Sequence, residues 1–424
     1  MIIMRMKLVG LLLAALLVPS MQSVAAESVQ LQQLLVEADK NNPSLRAADE
    51  KVAVAESKID QLTSLRDPVL SIALSNYPID ELKSDVSPMT GNEVRLAQKF
   101  PFPGKLDAKG RMAAEKSRWF AAAYQDARLQ VRRQVKDAWY RLLFLQRAIE
   151  LTDRNLEIID NFIELTETRY EVGKGLQQNV LKAQLQRSKQ MDKLLRLQQQ
   201  REATRAELNS LAGRETDHEL TVSGQLDFAD IVFSLDKLQQ EAVKKRPMFA
   251  AFAALIEQYK SQRELAILDY RPDFTLWAGY RFRDDGLRDG GTDFVSAGLS
   301  FNLPVRKARR RAAVAEADSS LRLAYQKRND FNNRVNLAIH RFLTKLNQAT
   351  QLADLYKNGI LPQADQTFQA TLSAYRVDKV DFLSLLDSLM GLYRYKIDYV
   401  RTLSDQQRSL AALEAAAGLD VDQL

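Results

Sequence analysis

The chain has 424 residues, with 60 Lys and Arg against 54 Asp and Glu, and 46% of its residues are hydrophobic. The absence of cysteine excludes disulfides, thiolate nucleophiles and cysteine-ligated metal centres, and two histidines exclude a histidine-rich metal site. The net charge of +6 is spread along the chain, unlike the concentrated basic face of a nucleic-acid-binding protein, and 16 Gly with 11 Pro leave room for very long helices.

The first 26 residues have the pattern of a secretory signal peptide. Arg5 and Lys7 precede an apolar run at residues 8–18, which is too short to cross a bilayer as a helix, and small residues follow at 24–26. We expect cleavage after about Ala26. The mature chain is then periplasmic, secreted or inserted in a membrane as a β-barrel; a buried N-terminal helix is the alternative.

An internal repeat organises the rest of the chain. It predicts a first structural unit at residues 27–213, a linker at 214–234 and a second unit at 235–424. Matches 204 positions apart pair Leu31, Glu37, Pro43 and Pro68 with Leu235, Glu241, Pro247 and Pro272.

Each unit begins with a helix and continues with two strands. The helices are predicted at residues 28–64 and 234–269, and each contains a proline, Pro43 or Pro247, that should kink it or end its first segment. Strand pairs are predicted within residues 68–102 and 272–303, because apolar and polar residues alternate there with a period of two. Their length suits tilted transmembrane strands.

A very long helix and a returning helix complete each unit. Residues 104–172 contain no proline, and Val135, Leu142 and Ile149 begin a seven-residue apolar repeat that predicts coiled-coil packing. The second long helix is predicted at 305–377, with a bend at Gly359 and Pro362. The returning helices are predicted at 176–211 and 380–417.

Four strands are too few for a membrane barrel, because spanning barrels start near eight strands. An open sheet in lipid would leave its edge groups without hydrogen bonds. If these strands enter a membrane, several copies must therefore share one barrel, and two, three or four copies are all possible on this argument.

The chain resembles the TolC-like outer-membrane efflux proteins over its mature length. The resemblance rests on the duplicated unit, on the Tyr-x-Val-Gly turn at residues 170–173 and on Gln-Lys-Phe-Pro-Phe-Pro-Gly-Lys at 98–105, which looks like the heavy-metal branch. It implies a mainly α fold with transmembrane β: a homotrimer with a 12-stranded barrel in the outer membrane of a Gram-negative bacterium, continued into the periplasm by an α-helical barrel. It also implies a passive duct that works with a periplasmic adaptor and an inner-membrane pump, without catalytic site, cofactor, bound metal or nucleic acid.

The resemblance also suggests gate residues at the periplasmic tip. Asp387 matches one of two carboxylate rings, Ser384 stands where the other would be, and Asp381 is a candidate supplement; solvated surface carboxylates are the alternative. Tyr170 and Tyr375 precede the tip turns, where they either bond across helices or only pack a helix end. Two lysines near the turns are candidate adaptor contacts, Lys174 and Lys379. Asp378 replaces the glycine that the family's second turn usually has.

Two further groups concern the membrane. The aromatic residues of the second strand pair fit an outward apolar band or an interfacial girdle, although a soluble β-layer core would also use them. These residues are Phe274, Tyr280, Phe282 and Phe301. The basic run at 306–311 either meets phospholipid headgroups or acidic partners, or is a solvated helix face.

The sequence therefore predicts a duct that exports small molecules or metal ions across the periplasm and outer membrane. Two alternatives stay open at this point: a type I protein-secretion duct and a periplasmic coiled-coil structural or adaptor protein.

Overall fold

The computed structural model describes residues 28–228 and 232–419. The predicted signal peptide lies outside the described residues. In chain order the elements of the first half are β1 (Ser28–Val29), α1 (Leu31–Asn41), α2 (Pro43–Thr63), β2 (Val69–Ser75), β3 (Gly91–Phe100), α3 (Lys105–Glu171), α4 (Gln177–Ala212) and β4 (Thr221–Val222). Those of the second half are α5 (Leu235–Lys245), α6 (Pro247–Leu268), β5 (Phe274–Phe282), β6 (Phe294–Phe301), α7 (Lys307–Leu355), a π-helix (Tyr356–Ile360), α8 (Leu361–Arg376) and α9 (Phe382–Ala417).

The two prolines end the first helical segment of each half. Asn42 interrupts the helix before Pro43, and its side chain then accepts hydrogen bonds from the N–H groups of Ser44 and Leu45 to cap α2. Arg246 interrupts the helix before Pro247 in the same way, without a side-chain cap. Proline suits the first turn of a helix, where an N–H has no helical partner. Each break therefore separates a short helix from a longer one.

The predicted long helix is present as α3, which has 67 residues and is about 100 Å long. Gly104 precedes it with a φ of 89°, a conformation that glycine adopts without strain. The apolar repeat is buried from Val131 to Ile159, and Thr152 within it donates a hydrogen bond to the Ala148 carbonyl and shares another with the Tyr393 hydroxyl. The hydroxyl of Thr152, which interrupts the apolar repeat, thus has hydrogen-bond partners between the packed helices.

The second long helix contains a π-helical turn in place of a simple bend. Tyr356–Ile360 forms the π-helix between α7 and α8, and Pro362 lies in the first turn of α8. Pro362 cannot donate to the Asn358 carbonyl four residues earlier, and its ring would press on that carbonyl in a regular α-helix. A wider turn accommodates the proline and keeps the segment helical.

The four long strands form one antiparallel sheet in the order β2-β3-β5-β6. The central pair joins the two halves of the chain, with Phe100 opposite Phe274 and Asn92 opposite Phe282. Within the described residues β2 and β6 pair on one side only, so both edges of the sheet are open. The short strands β1 and β4 form a separate parallel pair.

The long helices lie side by side. Near the sheet the order is α2-α3-α6-α7, and toward the far end it is α4-α3-α9-α8, with α7 beside α9 between them. We call α1, α5 and the β1–β4 pair the belt: α1 packs on α3 and α4, and α5 packs on α7 and α9. None of the helices in the described ranges combines the length and apolar character that crossing a membrane requires.

Candidate functional site: the helix tip and the wall

The far end of the helices is formed by two turns with the same backbone geometry. Gly173 has a φ of 72° and Asp378 a φ of 57°, so both lie in the left-handed region. The N–H of Lys174 donates to the Arg169 carbonyl at 2.8 Å, and the N–H of Lys379 donates to the Ala374 carbonyl at 2.9 Å. Aspartate is one of the few residues other than glycine that visit this region. The departure at Asp378 therefore leaves the turn unchanged.

Arg169 connects the two turns. Its guanidinium donates to the Asp378 carboxylate at 2.5 Å and to the Tyr375 carbonyl at 3.4 Å. The same group lies 4.5 Å from the centre of the Tyr375 ring. Since Arg169 ends α3 and Asp378 lies between α8 and α9, one side chain fastens the first helical hairpin to the second.

The two tyrosines predicted at the tip have different environments. Tyr375 is buried in a cluster with Phe382, whose ring centre is 6.1 Å away, and burial raises the pKa of the Tyr375 hydroxyl while the positive charge of Arg169 opposes that rise. Tyr170 is 48% exposed. Within one chain Tyr375 packs the tip, and Tyr170 is free to meet another surface.

The candidate carboxylates both lie at the start of α9. Asp381 is the N-cap residue: its carboxylate accepts the N–H of Ser384 at 2.8 Å, and hydrogen bonds from Ser384 lower its pKa. The helix therefore begins at Phe382, two residues later than predicted. Asp387 is exposed one and a half turns further along. Lys174 and Lys379 are exposed in the two turns.

One face of the four-stranded sheet is mostly apolar, with Asn92 and Gln98 of β3 as its polar residues. Directly opposed residues share a face, and the register places Leu70 beside Leu96, Leu96 beside Ala278, and Tyr280 beside Val295. The predicted girdle residues Phe274, Tyr280, Phe282 and Phe301 belong to this face by the same register. Leu70, Ile72, Leu74 and Val295 are each at least 63% exposed, so this face is uncovered in the single chain.

The opposite face of the sheet is mainly polar and also contains the large aromatic residue Trp277. Its ring lies under the guanidinium of Arg95, 3.6 Å from the ring centre, while Gly298 on the next strand leaves room for it. Glu93 and Arg281 form an ion pair at 3.4 Å on the same face. Trp277 is thus placed by a partner far away in sequence, which alternation alone does not reveal.

The sheet is fixed to the helices by a buried lysine. Lys105 donates to the Asp273 carboxylate at 2.9 Å and pairs with Asp269 at 3.1 Å, which joins the start of α3 to the segment before β5. The basic run at 306–311 follows β6 at the same level. Arg310 donates to the Asp269 carbonyl at 2.6 Å, so part of this run helps to fasten the joint.

The helix layer has two distinguishable faces. Gln407 of α9 donates to the Asp227 carbonyl of the linker at 3.0 Å, and Lys396, Tyr399 and Leu403 line a cavity together with linker residues 224–226. That face of α9 is therefore on the same side as the belt. Asp405 and Arg408 line two grooves beside α9 that no belt residue lines.

The described residues contain no cluster of three or more His, Asp or Glu side chains placed to hold a metal ion. Open grooves, an amphipathic sheet and a fastened tip are instead the features that this chain presents.

Known proteins are similar to this chain in sequence and in fold. Residues 34–214 match the model of the family described as outer membrane efflux protein. The chain is 22% identical over 406 residues to the cobalt-zinc-cadmium resistance protein CzcC of Cupriavidus metallidurans. The aligned region covers 95% of this chain and 93% of CzcC.

Solved structures show the same fold at low identity. The outer membrane protein VceC of Vibrio cholerae superposes with a TM-score of 0.75 at 20% identity, over 92% of this chain and 96% of VceC. The outer membrane channel CmeC of Campylobacter jejuni superposes with a TM-score of 0.79 at 14% identity, over 92% of this chain and 85% of CmeC.

Proposed function

Because the chain is a TolC-like outer-membrane efflux protein, we propose that three copies of it form one closed duct through which metal ions leave the cell. The protein is the outer-membrane channel of an efflux system. The trimer, its partners and its substrate are the parts of this proposal that go further.

The open edges of the sheet are the observation that carries the proposal. The exposed apolar face is suited to contact with lipid. In lipid, the unpaired backbone N–H and C=O groups on the outer edges of β2 and β6 would cost several kcal/mol each. Pairing β6 of one copy with β2 of the next satisfies both edges, and three copies give twelve strands with a lumen. The polar face with Arg95 and Trp277 then lines that lumen.

The helix layer also has open edges that neighbouring copies would cover. Toward the tip α4 is an edge of the layer, and it exposes Leu181, Leu185 and Leu195, each more than half exposed. On the other edge α7 exposes Leu337 and Leu355. Joining α4 of one copy to α7 and α8 of the next would bury these side chains and continue the barrel as a tube of about 100 Å.

At the tip, we assign Asp387 to a ring of three carboxylates around the axis, where mutual repulsion and cation attraction follow from proximity. Asp381 holds the start of α9 and sets the position of that ring. Tyr375 packs the closed tip, Tyr170 faces a neighbouring copy, and Lys174 with Lys379 meet a periplasmic adaptor that joins the duct to an inner-membrane pump.

The proposed substrate follows the relative CzcC, whose name records resistance to cobalt, zinc and cadmium. Deletion of the gene should increase sensitivity to these ions, and the intact gene should restore growth. Unchanged growth on all three metals would reject metal export while leaving the duct itself open to other solutes.

The membrane assembly has a matched test on one strand. Ile72 lies on the apolar face and is 75% exposed, whereas Ser71 lies on the polar face opposite Arg95. Ile72→Asp should reduce the heat-modifiable trimer in outer-membrane fractions, because a charge on the lipid face is unfavourable, although an Asp costs less than the roughly 2–4 kcal/mol of an Arg or Lys at the bilayer midplane. Ser71→Asp should leave the trimer intact. A soluble monomer from the unaltered chain would refute the barrel.

A further inference from the structure

The returning helix α9 has arginines at a regular spacing on one side. Arg394, Arg401 and Arg408 follow one another at intervals of seven residues, and Asp398 and Asp405 form a second line at the same interval. Seven residues are close to two helical turns, so each line stays on one side of the helix. These charged lines continue toward Asp387 at the tip.

This side of α9 is turned away from the belt. Gln407 bonds the linker at Asp227, and two residues correspond to about 200° of helical rotation, so Asp405 lies nearly opposite Gln407. The belt cannot lie inside a hollow duct without filling it. If the duct proposed above is correct, the arginine line therefore faces the lumen, and Lys396 on the belt side faces the periplasm.

The carboxylates near this line are all occupied by cations. Arg408 pairs with Asp137 at 2.8 Å and with Asp405 at 3.0 Å, and Arg401 pairs with Asp398 at 3.2 Å. Arg141 of α3 pairs with the same Asp137 at 2.6 Å and with Glu207 of α4 at 3.0 Å. Arg141, Arg401 and Arg408 thus form ion pairs with all four of these carboxylates.

Further cations along the same side have no carboxylate partner among the described residues. Arg394, about 21 Å nearer the tip than Arg408, donates to the Tyr395 hydroxyl at 3.4 Å and lies 5.1 Å from the centre of that ring, and Arg133 donates to the Gln130 side chain. Lys345 of α7 is exposed in the groove that Arg408 and Asp405 also line. Six cations against four carboxylates leave a charge of +2 per chain, which becomes +6 in a trimer.

A lysine of α4 lies beside the same arginine line. Lys193 is 4.6 Å from the centre of the Tyr393 ring, and its pKa is lowered, first by burial and then by the positive charge of Arg401, although Asp398 opposes the shift. Lys193 is thus within electrostatic reach of Arg401.

We propose that these residues form a cationic collar in the middle of the duct, which concentrates anionic solutes and repels free multivalent cations. The collar residues are Arg133, Arg141, Lys345, Arg394, Arg401 and Arg408. Charges of one sign on a narrow wall raise the local concentration of the opposite ion. Solutes that pass readily are small anions, including metal ions carried in anionic complexes. This inference rests on the proposed duct, since the collar faces a lumen only if the tube is hollow.

The test uses the whole trimer in a planar lipid bilayer, with hexacyanoferrate(III) added from the extracellular side. Arg394→Glu combined with Lys345→Glu removes the two exposed cations that hold no ion pair. We expect the anion concentration that halves the current to rise by about fivefold or more. The cation hexaamminecobalt(III), added from the same side, should halve the current of the double variant at a lower concentration than it needs for the unaltered protein.

Lys396→Glu is the matched control, because it reverses one charge on the belt side of the same helix. It should leave both half-blocking concentrations within about twofold of the unaltered protein. Arg394→Gln with Lys345→Gln gives an intermediate shift and replaces the Glu pair if that variant does not yield a heat-modifiable trimer. Equal block in the unaltered and double variants, or an equal shift with Lys396→Glu, overturns the collar alone. A trimer without any conductance overturns the duct and the collar together.

Discussion

Arg169 provides the most direct test of the tip, because its side chain fastens the two helical hairpins. In the proposed duct, opening a gate at this end would separate α3 and α4 from α8 and α9. Arg169→Ala removes both the ion pair with Asp378 and the contact with the Tyr375 ring. Asp378→Gly removes only the ion pair, and glycine retains the left-handed turn that the backbone has there.

The magnitude follows from the exposure of the partners. Asp378 is 73% exposed in its side chain, so the ion pair contributes about 0.2–1 kcal/mol. The guanidinium at 4.5 Å from the ring centre adds about 0.5–1 kcal/mol. The link thus stabilises the closed tip by about 1–2 kcal/mol per chain, which is a factor of about 5–30 in the balance between closed and open.

The assay is the conductance of the purified trimer in a planar bilayer. Arg169→Ala should raise the closed-state current, Asp378→Gly should raise it less because the ring contact remains, and the double variant should match Arg169→Ala. Arg187→Ala is the control: its ion pair with Asp160, at 2.5 Å, lies within the first hairpin and crosses no boundary between hairpins.

Two results would refute this reasoning. Conductance of Arg169→Ala equal to that of the unaltered protein would mean that the link does not hold the tip. An increase in conductance of the same size in Arg187→Ala would mean that loss of any ion pair between the helices has this effect, and that the position of Arg169 between the two turns is irrelevant.

Three further predictions concern the gate, the belt and the turns. Asp387→Ala should raise closed-channel conductance and weaken block by divalent cations in the same bilayer assay; unchanged current and block would remove Asp387 from the ring. Burial raises the pKa of Asp39, but hydrogen bonds from Arg128 and Arg132 outweigh it and hold the pKa below the ordinary carboxyl value of 3.8. This stability is present above about pH 4 and lost as pH falls through the lowered pKa, so Asp39→Asn should lower the unfolding temperature at pH 7, and the difference from the unaltered protein should shrink as the pH is lowered below about 4. A difference that stays constant over this acid titration would contradict the linkage. Gly213→Ala should lower the unfolding temperature more than Gly173→Ala. The φ angles of the two glycines are 73° and 72°, so the left-handed backbone costs each alanine about 1–2 kcal/mol, but only at Gly213 would the new Cβ lie 2.7 Å from the Asn41 carbonyl oxygen. Equal decreases in the unfolding temperature would show that the structure relaxes to relieve this contact.

Local physical signals predicted most of the secondary structure. Pro43 and Pro247 lack an N–H and so divide the first helix of each unit, and the period of two located the outer ends of both long strand pairs to within two residues. The seven-residue repeat from Val131 to Ile159 predicted the buried side of α3. Two exceptions were also local in origin, since the cap at Asp381 delays α9 and Pro362 induces a π-helix, whereas the short strands β1 and β4 were not predicted.

The candidate site was only partly accessible from sequence. Asp387 and the tip turns were found by resemblance, and their roles stay proposals. Arg169 was missed because its partners Tyr375 and Asp378 are more than 200 positions away, and no local pattern marks such a contact. The contact of Arg95 with the Trp277 ring was missed for the same reason, because the two residues lie on different strands and far apart in the chain.

The sequence by itself determined the order, type and approximate bounds of the elements, because periodicity, proline and glycine act on the backbone within a few residues. Only the tertiary structure decided that β3 pairs with β5, which makes one sheet with two open edges out of two separate strand pairs. It also decided which side of α9 meets the linker at Asp227 and which side carries Arg394, Arg401 and Arg408. A helix presents all its residues to solvent until neighbours cover one side, so the charge on each face of the helix layer depends on packing between distant segments.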